Sequence, residues 1–165
     1  FIWGKFISVV IVTLIVTFFY LAVAGFIGAI ATKEMSGVNV FEKAHYIGLF
    51  SLQVFCQLSI AFLLGLLIRK AFIAYGIFIF YSFILENILS GIFKLKSKKW
   101  GIDYGHYLPF EISDRLIPLP PFIGKFNEAD NKLAIAAIDS HVVYTLVLTV
   151  FVWLLSFYIF KKRDL

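Results

Sequence analysis

Charge and cysteine are both scarce in this chain. Charged residues make up 15% of its 165 residues, and Cys56 is the only cysteine. A single cysteine excludes an intrachain disulfide and says nothing about the redox compartment. Hydrophobic residues account for 61% of the chain and aromatic residues for 19%. This composition excludes a disordered chain and an ordinary soluble domain.

Motifs for catalysis and cofactor binding are also missing. The sequence contains no Gly-rich phosphate loop, no HExxH zinc motif, no nucleophile elbow and no cysteine pair. We therefore expect no cofactor, no metal site and no enzymatic activity in this chain. Its three histidines are predicted to be interfacial. His45 and His141 lie at the outer ends of two apolar runs, so a site shared between them is the alternative, and His106 has no partner at ligand spacing.

Four long apolar runs fill most of the sequence. They cover residues 6–31, 46–68, 71–93 and 142–160, and each has roughly the 17–25 residues that cross a bilayer core as a helix. Only helices and closed barrels satisfy the backbone in lipid, and the runs lack the period-two alternation of barrel strands. The sequence predicts an all-α, polytopic membrane helix bundle forming one domain over residues 1–165. Because the chain begins at Phe1 without Met, we expect its N-terminal part to be missing.

The net charge of +5 does not indicate nucleic-acid binding, because the basic residues lie at span ends and in loops, where they meet lipid headgroups. Lys5, the Arg69-Lys70 turn and the 161–163 tail fall on one side of a four-span topology. The positive-inside rule predicts that this side, with the C-terminus, is cytoplasmic. A basic cluster over residues 94–99 argues against this orientation. Arg69 and Lys70 either fix the topology or contact a cytoplasmic partner.

The outer segment, residues 94–141, has structure of its own. Residues 108–117 form a predicted short helix with Pro109 in its first turn, and the prolines of residues 118–121 end it. A second helical pattern begins near Asn127 or Asp130. We expect the segment to lie on or partly in the outer leaflet, and a solvated loop is the alternative.

Glu86 is the only acidic residue inside an apolar run. A charged carboxylate at the bilayer centre costs roughly 2.5–3.5 kcal/mol on insertion scales. Helical spacing predicts that Tyr75, Ser82, Glu86 and Ser90 share one face, with Asn87 beside it. Glu86 is interpreted either as a pathway or gating residue, or as a structural hydrogen-bonding group that holds a neighbouring helix or the outer segment.

Gln53 and Gln57 are spaced to share one face of the second span. Amide side chains in membrane helices usually bond across to another helix, for about 0.6–2 kcal/mol. Contact with a transported substrate is the alternative.

Several short motifs extend over essentially the whole chain. They are Trp3-Gly4-Lys5-Phe6, Leu67-Ile68-Arg69-Lys70, Phe83-Ile84-Leu85-Glu86-Asn87-Ile88-Leu89, Tyr107-Leu108-Pro109-Phe110, Leu116-Ile117-Pro118 and Tyr158-Ile159-Phe160-Lys161-Lys162-Arg163-Asp164-Leu165. Each motif is weak alone, and their order resembles the C-terminal part of a type-2 ABC exporter permease.

The resemblance implies a six-helix permease of the cell membrane, of which this chain holds the last four helices. It implies a second permease copy, identical or different, and a separate cytoplasmic ATPase subunit; lipid is the other partner. The substrate stays open among drugs, peptides, lipids and polysaccharides. A non-transporting membrane assembly or immunity factor is the main alternative. An intramembrane enzyme would need paired acids or metal ligands at one depth, and a secondary transporter would need broken helices.

Overall fold

The computed structural model of the protein describes residues 2–31, 44–68, 70–100, 104–117 and 135–163. These residues are almost entirely helical and include no strand. Four helical stretches are long and apolar enough to cross a membrane: Ile2–Ile27, His45–Leu67, Ala71–Phe93 and Ile138–Lys162. The predicted all-α membrane bundle with four spans is confirmed.

The first two spans are the single helices α1, Ile2–Ala31, and α2, His45–Leu67. The third span is composite. It begins as α3, Ala71–Phe80, passes through a π-helical turn at Tyr81–Leu85, and continues as α4, Glu86–Trp100. A 3-10 helix, Tyr104–Tyr107, leads to the short helix α5, Pro109–Asp114, and the last span is α6, Ile138–Arg163.

Three of the four helical stretches are longer than predicted. Helix α1 begins at Ile2 instead of residue 6, α4 continues to Trp100 instead of ending at residue 93, and α6 begins at Ile138 instead of residue 142. His141 therefore lies inside the last helix, one turn from its start. The predicted proline stop at residues 118–121 and the helical pattern from Asn127 or Asp130 lie outside the described residues, which resume at residue 135.

Helix α2 is central to the packing of the bundle, since it contacts α1, α3, α5 and α6. Helix α1 runs antiparallel to it, because Tyr20 stacks on Phe50 while Phe6 meets Phe55. Helix α6 runs parallel to α2. The indole of Trp153 stacks on Phe62, with 5.3 Å between ring centroids, and its Nε1–H donates to Ser59 Oγ at 2.9 Å.

Hydroxyl side chains on α6 allow it to lie close to its neighbours. Thr145, Thr149 and Ser156 are buried, and each donates to the carbonyl oxygen four residues earlier. These bonds satisfy the hydroxyls inside their own helix. The side chains on this helix face are short and their hydroxyl groups are already bonded, which permits close helix approach in lipid.

The basic residues gather at one end of the bundle. Trp3 and Phe157 approach to 5.8 Å between ring centroids, so the start of α1 lies beside the end of α6. The end of α2 and the start of α3 lie at the same level, because α1 and α2 are antiparallel. Lys5, Lys70, Lys161 and Lys162 therefore share this end, as the topology predicted. Apolar side chains on α1 and the third span face outward, among them Phe18 and Phe72.

The Trp153–Ser59 hydrogen bond provides a test of the packing. Replacing Ser59 by Ala leaves the buried indole N–H without its acceptor, so we expect the free energy of unfolding in mixed micelles to fall by about 1–2 kcal/mol. Adding Trp153→Phe should restore part of the loss, because the donor is then gone. Ser8→Ala, which removes an exposed hydroxyl bonded only to Gly4 O, should have little effect. Equal losses for Ser8→Ala and Ser59→Ala would contradict this assignment.

Candidate functional site

The short helix α5 occupies the middle of the bundle, where it contacts α2, α4 and α6. Phe110, Ile112, Ser113 and Leu116 are buried. The helix and its apolar contacts agree with the prediction from the sequence. The expected position on or partly in the outer leaflet stays a prediction, and the contacts of α5 show that it reaches inward between the spans.

Two contacts establish this depth. Gln57, one residue past the midpoint of the 23-residue α2, hydrogen-bonds to Asp114. The ring of Phe110 packs on Phe78 and Tyr81, close to the midpoint of the third span. The segment therefore enters from the outer end and turns back near the middle. Irregular backbone is tolerated at this depth only where protein or enclosed water satisfies it.

Glu86 satisfies the N-terminal end of α5. Leu108 is extended, at φ −69° and ψ 144°, and provides no side-chain cap, while Pro109 occupies the first helical position without an N–H. Glu86 Oε1 accepts a hydrogen bond from the backbone N–H of Glu111 at 2.6 Å, and the N–H of Phe110 also interacts with this carboxyl group. The third span thus supplies the cap that the short helix lacks.

The Glu86 carboxyl group is only partly satisfied. Its side chain is 4% exposed, and within the described part of the chain Oε2 has no hydrogen-bond partner. The π-helical turn ends immediately before this residue, and the N–H of Glu86 donates to Tyr81 O, five residues back. A π-helical turn inserted into a helix frequently accompanies a functional position.

Two glutamines on α2 hold the other end of α5. The side-chain amides of Gln53 and Gln57 both donate to Asp114 Oδ1, each at 2.8 Å. Gln57 also reaches Ser113 Oγ at 3.4 Å, a long contact. The Asp114 side chain keeps an exposed face, yet desolvation of its carboxyl group raises its pKa, while the bond from Gln53 opposes this effect and nearby Glu111 adds to it.

One ion pair lies within the same segment. Glu111 Oε1 accepts from both Nη2 and Nε of Arg115, at 2.6 and 3.0 Å. The spacing of four residues is the ordinary one for a helix-surface pair. This pair occupies the guanidinium, so among the described contacts Arg115 does not neutralise Glu86 or Asp114.

The histidines are paired differently from the alternative considered from sequence. His45 packs against its neighbour Tyr46. His141 is 5% exposed and faces His106, with 6.3 Å between ring centroids. The described residues contain no group of three or more His, Cys, Asp or Glu side chains that could hold a metal ion.

The candidate residues from sequence are only partly brought together. Glu86, Gln53 and Gln57 converge on α5 from two spans. Ser82 and Ser90 are half-buried on the third span, whereas Tyr75 is 66% exposed and Asn87 is exposed and bonded to Phe83 O. The prediction that Tyr75 and Glu86 share one helical face is wrong, because the π-helical turn between them changes the helical register.

The candidate cytoplasmic contact is described only in part. Lys70 is exposed at the basic end, and Arg69 lies outside the described residues.

Sequence reasoning missed several members of the site. Asp114 and Ser113 were treated as part of an outer helix, and the Glu111–Arg115 pair was not noticed. The i, i+4 spacing of that pair was a usable signal. No sequence signal pointed to Asp114 as the partner of Gln53 and Gln57, because Asp114 lies 61 and 57 residues from them along the chain.

Comparison with known protein families shows the family to which the chain belongs. Residues 1–165 match the family described as ABC-2 family transporter protein. The chain belongs to this family. Neither the curated proteins nor the solved structures give a match. As a member of the ABC-2 family, the chain is a multi-pass membrane permease of an ABC transporter, and permeases of this family generally work with an ATP-binding subunit. The predicted membership of the type-2 ABC permease family is thereby confirmed.

The raised pKa of Asp114 predicts how this residue contributes to stability. The folded state holds the Asp114 proton more tightly than the unfolded state, so its contribution to the free energy of unfolding falls as pH rises above about 3.9, the ordinary aspartate value. Asp114→Asn keeps an oxygen for both glutamines and should remove this pH-dependent term without a loss at neutral pH. Asp114→Ala should cost about 1–2 kcal/mol at all pH values.

The measurement is the free energy of unfolding in micelles for the three proteins between acid and neutral pH. The difference between the parent and the Asn variant isolates Asp114 from the other titrating groups. A difference that does not change with pH would contradict the assignment.

Proposed function

We propose that this chain is the membrane-spanning subunit of an ATP-driven exporter, with its energy supplied by a separate cytoplasmic ATPase. Its membership of the ABC-2 family over residues 1–165 carries the proposal. Two permease copies form the substrate pathway at their interface. ATP binding by the partner moves them between inward- and outward-facing arrangements.

The way α5 is held supports a gating role for Glu86. Helix α5 is bonded to α2 through two amides and Asp114, and it also packs on α6. The third span contacts α5 through the Glu86 carboxyl group and through the packing of Phe110 on Phe78 and Tyr81. It also packs on the 3-10 helix that leads into α5. Glu86 thus lies where a movement of the third span would be transmitted to α5.

The outward-facing side of the third span suits a wall of the pathway or of the copy interface. Most of its large apolar side chains are exposed, including Phe72, Phe83 and Ile88. At its start it packs against α2. In our proposal this span moves, whereas α1, α2 and α6 form a fixed unit joined by the aromatic contacts of Trp153.

The basic end of the bundle supports a particular orientation of the chain in the membrane. Lys5, Lys70, Lys161 and Lys162 lie together, and we place this end in the cytoplasm, where short basic connections are favoured. The C-terminus is then cytoplasmic, and α5 enters from the opposite side. The proposed location is the cell membrane.

The function is tested with the assembled transporter. We expect an ATPase gene beside the coding sequence, the chain to co-purify with the product of that gene, and the reconstituted complex to show ATP hydrolysis that a transported compound stimulates. Stable association without stimulation by any compound of a broad panel would favour the non-transporting alternative. Failure to associate with any ATPase would overturn the proposal.

Glu86→Gln in the same complex tests the gating role. The amide oxygen can still accept the Glu111 N–H, so we expect the fold to persist while stimulated hydrolysis falls by about tenfold, equal to about 1.4 kcal/mol. Asp139→Asn is the matched control, because Asp139 is exposed in the first turn of α6 and loses the same charge. Unchanged transport and an unchanged pH profile in Glu86→Gln would exclude the gating role.

Orientation is tested by labelling introduced cysteines from either side of the membrane. Cys56 is 0% exposed and is left in place, with the parent chain as the blank. Lys162→Cys should react only from the cytoplasm and Lys98→Cys only from outside. Reaction of position 98 from the cytoplasm alone would overturn the assigned orientation.

A further inference from the structure

Two histidines connect the entry of α5 to the last span. His106 belongs to the 3-10 helix Tyr104–Tyr107, and His141 lies near the start of α6. Their rings are 6.3 Å apart, and Tyr107 and Tyr144 continue the contact with 5.7 Å between ring centroids. The four rings form what we call the outer ring cluster. His141 also meets Tyr144 edge-on.

Two basic side chains lie near the buried ring of His141. His141 is 5% exposed, and its Nδ1 has no hydrogen-bond partner among the described residues. The electrostatic neighbours of its ring are Arg115 and His106, both positive when protonated, and Glu111, which is bonded to Arg115. Tyr107 and Tyr144 are the remaining titratable groups of the cluster. Helix α2 brings His45 and Tyr46 to the same end of the bundle, while Asp139 lies on α6 itself. Helix α4, which packs against the 3-10 helix, carries the exposed Lys96.

A metal ion is a poorer occupant of this place than a proton. The two imidazoles have no third protein ligand among the described residues, and the neighbouring Arg115 repels a divalent cation. A neutral His141 suits the packed arrangement, since a neutral imidazole needs only one donor bond satisfied. An imidazolium would bury a second N–H without an acceptor and would add a positive charge beside Arg115.

We propose that the outer ring cluster is a proton-operated lock between the α5 segment and α6. With His106 and His141 neutral, the 3-10 helix packs on α6. Protonation favours the separated arrangement, in which each imidazolium is hydrated, so acid on the outer side releases this end of the segment from α6, while its contacts with α4 remain. Because Glu86 and the two glutamines hold the segment elsewhere, release is local. The inference does not depend on whether the chain transports anything.

The test measures the distance between the two elements as a function of pH. Spin labels at Tyr104→Cys and Val143→Cys, positions that are both exposed, report it in the full chain in nanodiscs. Between about pH 7.5 and about pH 5, the range in which histidine changes charge, we expect the distance distribution to lengthen and broaden reversibly. His141→Phe keeps a ring of similar size and should abolish the change. His45→Phe is the matched control and should retain it.

Several results of this experiment would overturn the proposed proton lock. A response that survives in His141→Phe, or no response in the parent, overturns the proposal. The same result follows if the control variant loses the response as completely as His141→Phe. Shortening of the distance by micromolar Zn²⁺ at neutral pH, requiring both His106 and His141, would identify a metal site and overturn the proton lock. Loss of transport in the ATPase assay has no bearing on this distance, so the two proposals fail independently.

Discussion

The rest of the structure depends on the hydrogen bonds that allow a short helix to end in the middle of a membrane protein. Helix α5 presents free N–H groups at one end and a carboxylate at the other, at a depth where lipid offers neither acceptors nor donors. Glu86 meets the first need and the amides of Gln53 and Gln57 meet the second. These polar residues are costly in a span, and here each one satisfies a group that would otherwise cost several kcal/mol.

The helices of the bundle differ in how extensively they contact one another. Helices α1, α2 and α6 share an apolar and aromatic contact around Trp153, supported by its bond to Ser59. The third span packs on α2 beyond the basic turn and meets α5 near Glu86. Since helix association in lipid relies on packing and interhelical hydrogen bonds rather than on the hydrophobic effect, a span with few such contacts is the one most easily displaced. This difference in attachment supports the proposal that the third span moves during transport.

The sequence predicted the parts that composition and period determine, and it failed where distant residues meet. Apolar length identified the four spans, and Pro109 after Leu108 located the short helix. The shared face of Gln53 and Gln57 indicated a bond to another element, but nothing in their spacing pointed to Asp114. Glu86 was recognised as unusual because charge in a span is rare, and one of its two interpretations, a hydrogen bond to the outer segment, matches the geometry. The face that joined it to Tyr75 was wrong, since a π-helical turn leaves no signal in an apolar run.

Two buried side-chain atoms lack a hydrogen bond among the described residues, and both of them, Glu86 Oε2 and His141 Nδ1, lie beside the segment that carries α5. One lies on the third span at the start of α5, and the other lies on the last span beside the 3-10 helix that leads into it. Native proteins leave few buried polar atoms without partners, and those that remain often mark sites of function. Glu86 bonds the start of α5 through Oε1, and the His141 ring meets His106 at the entry of the same segment. The two side chains therefore join the α5 segment to the third and last spans, which supports the proposal that movement of these spans is transmitted to α5.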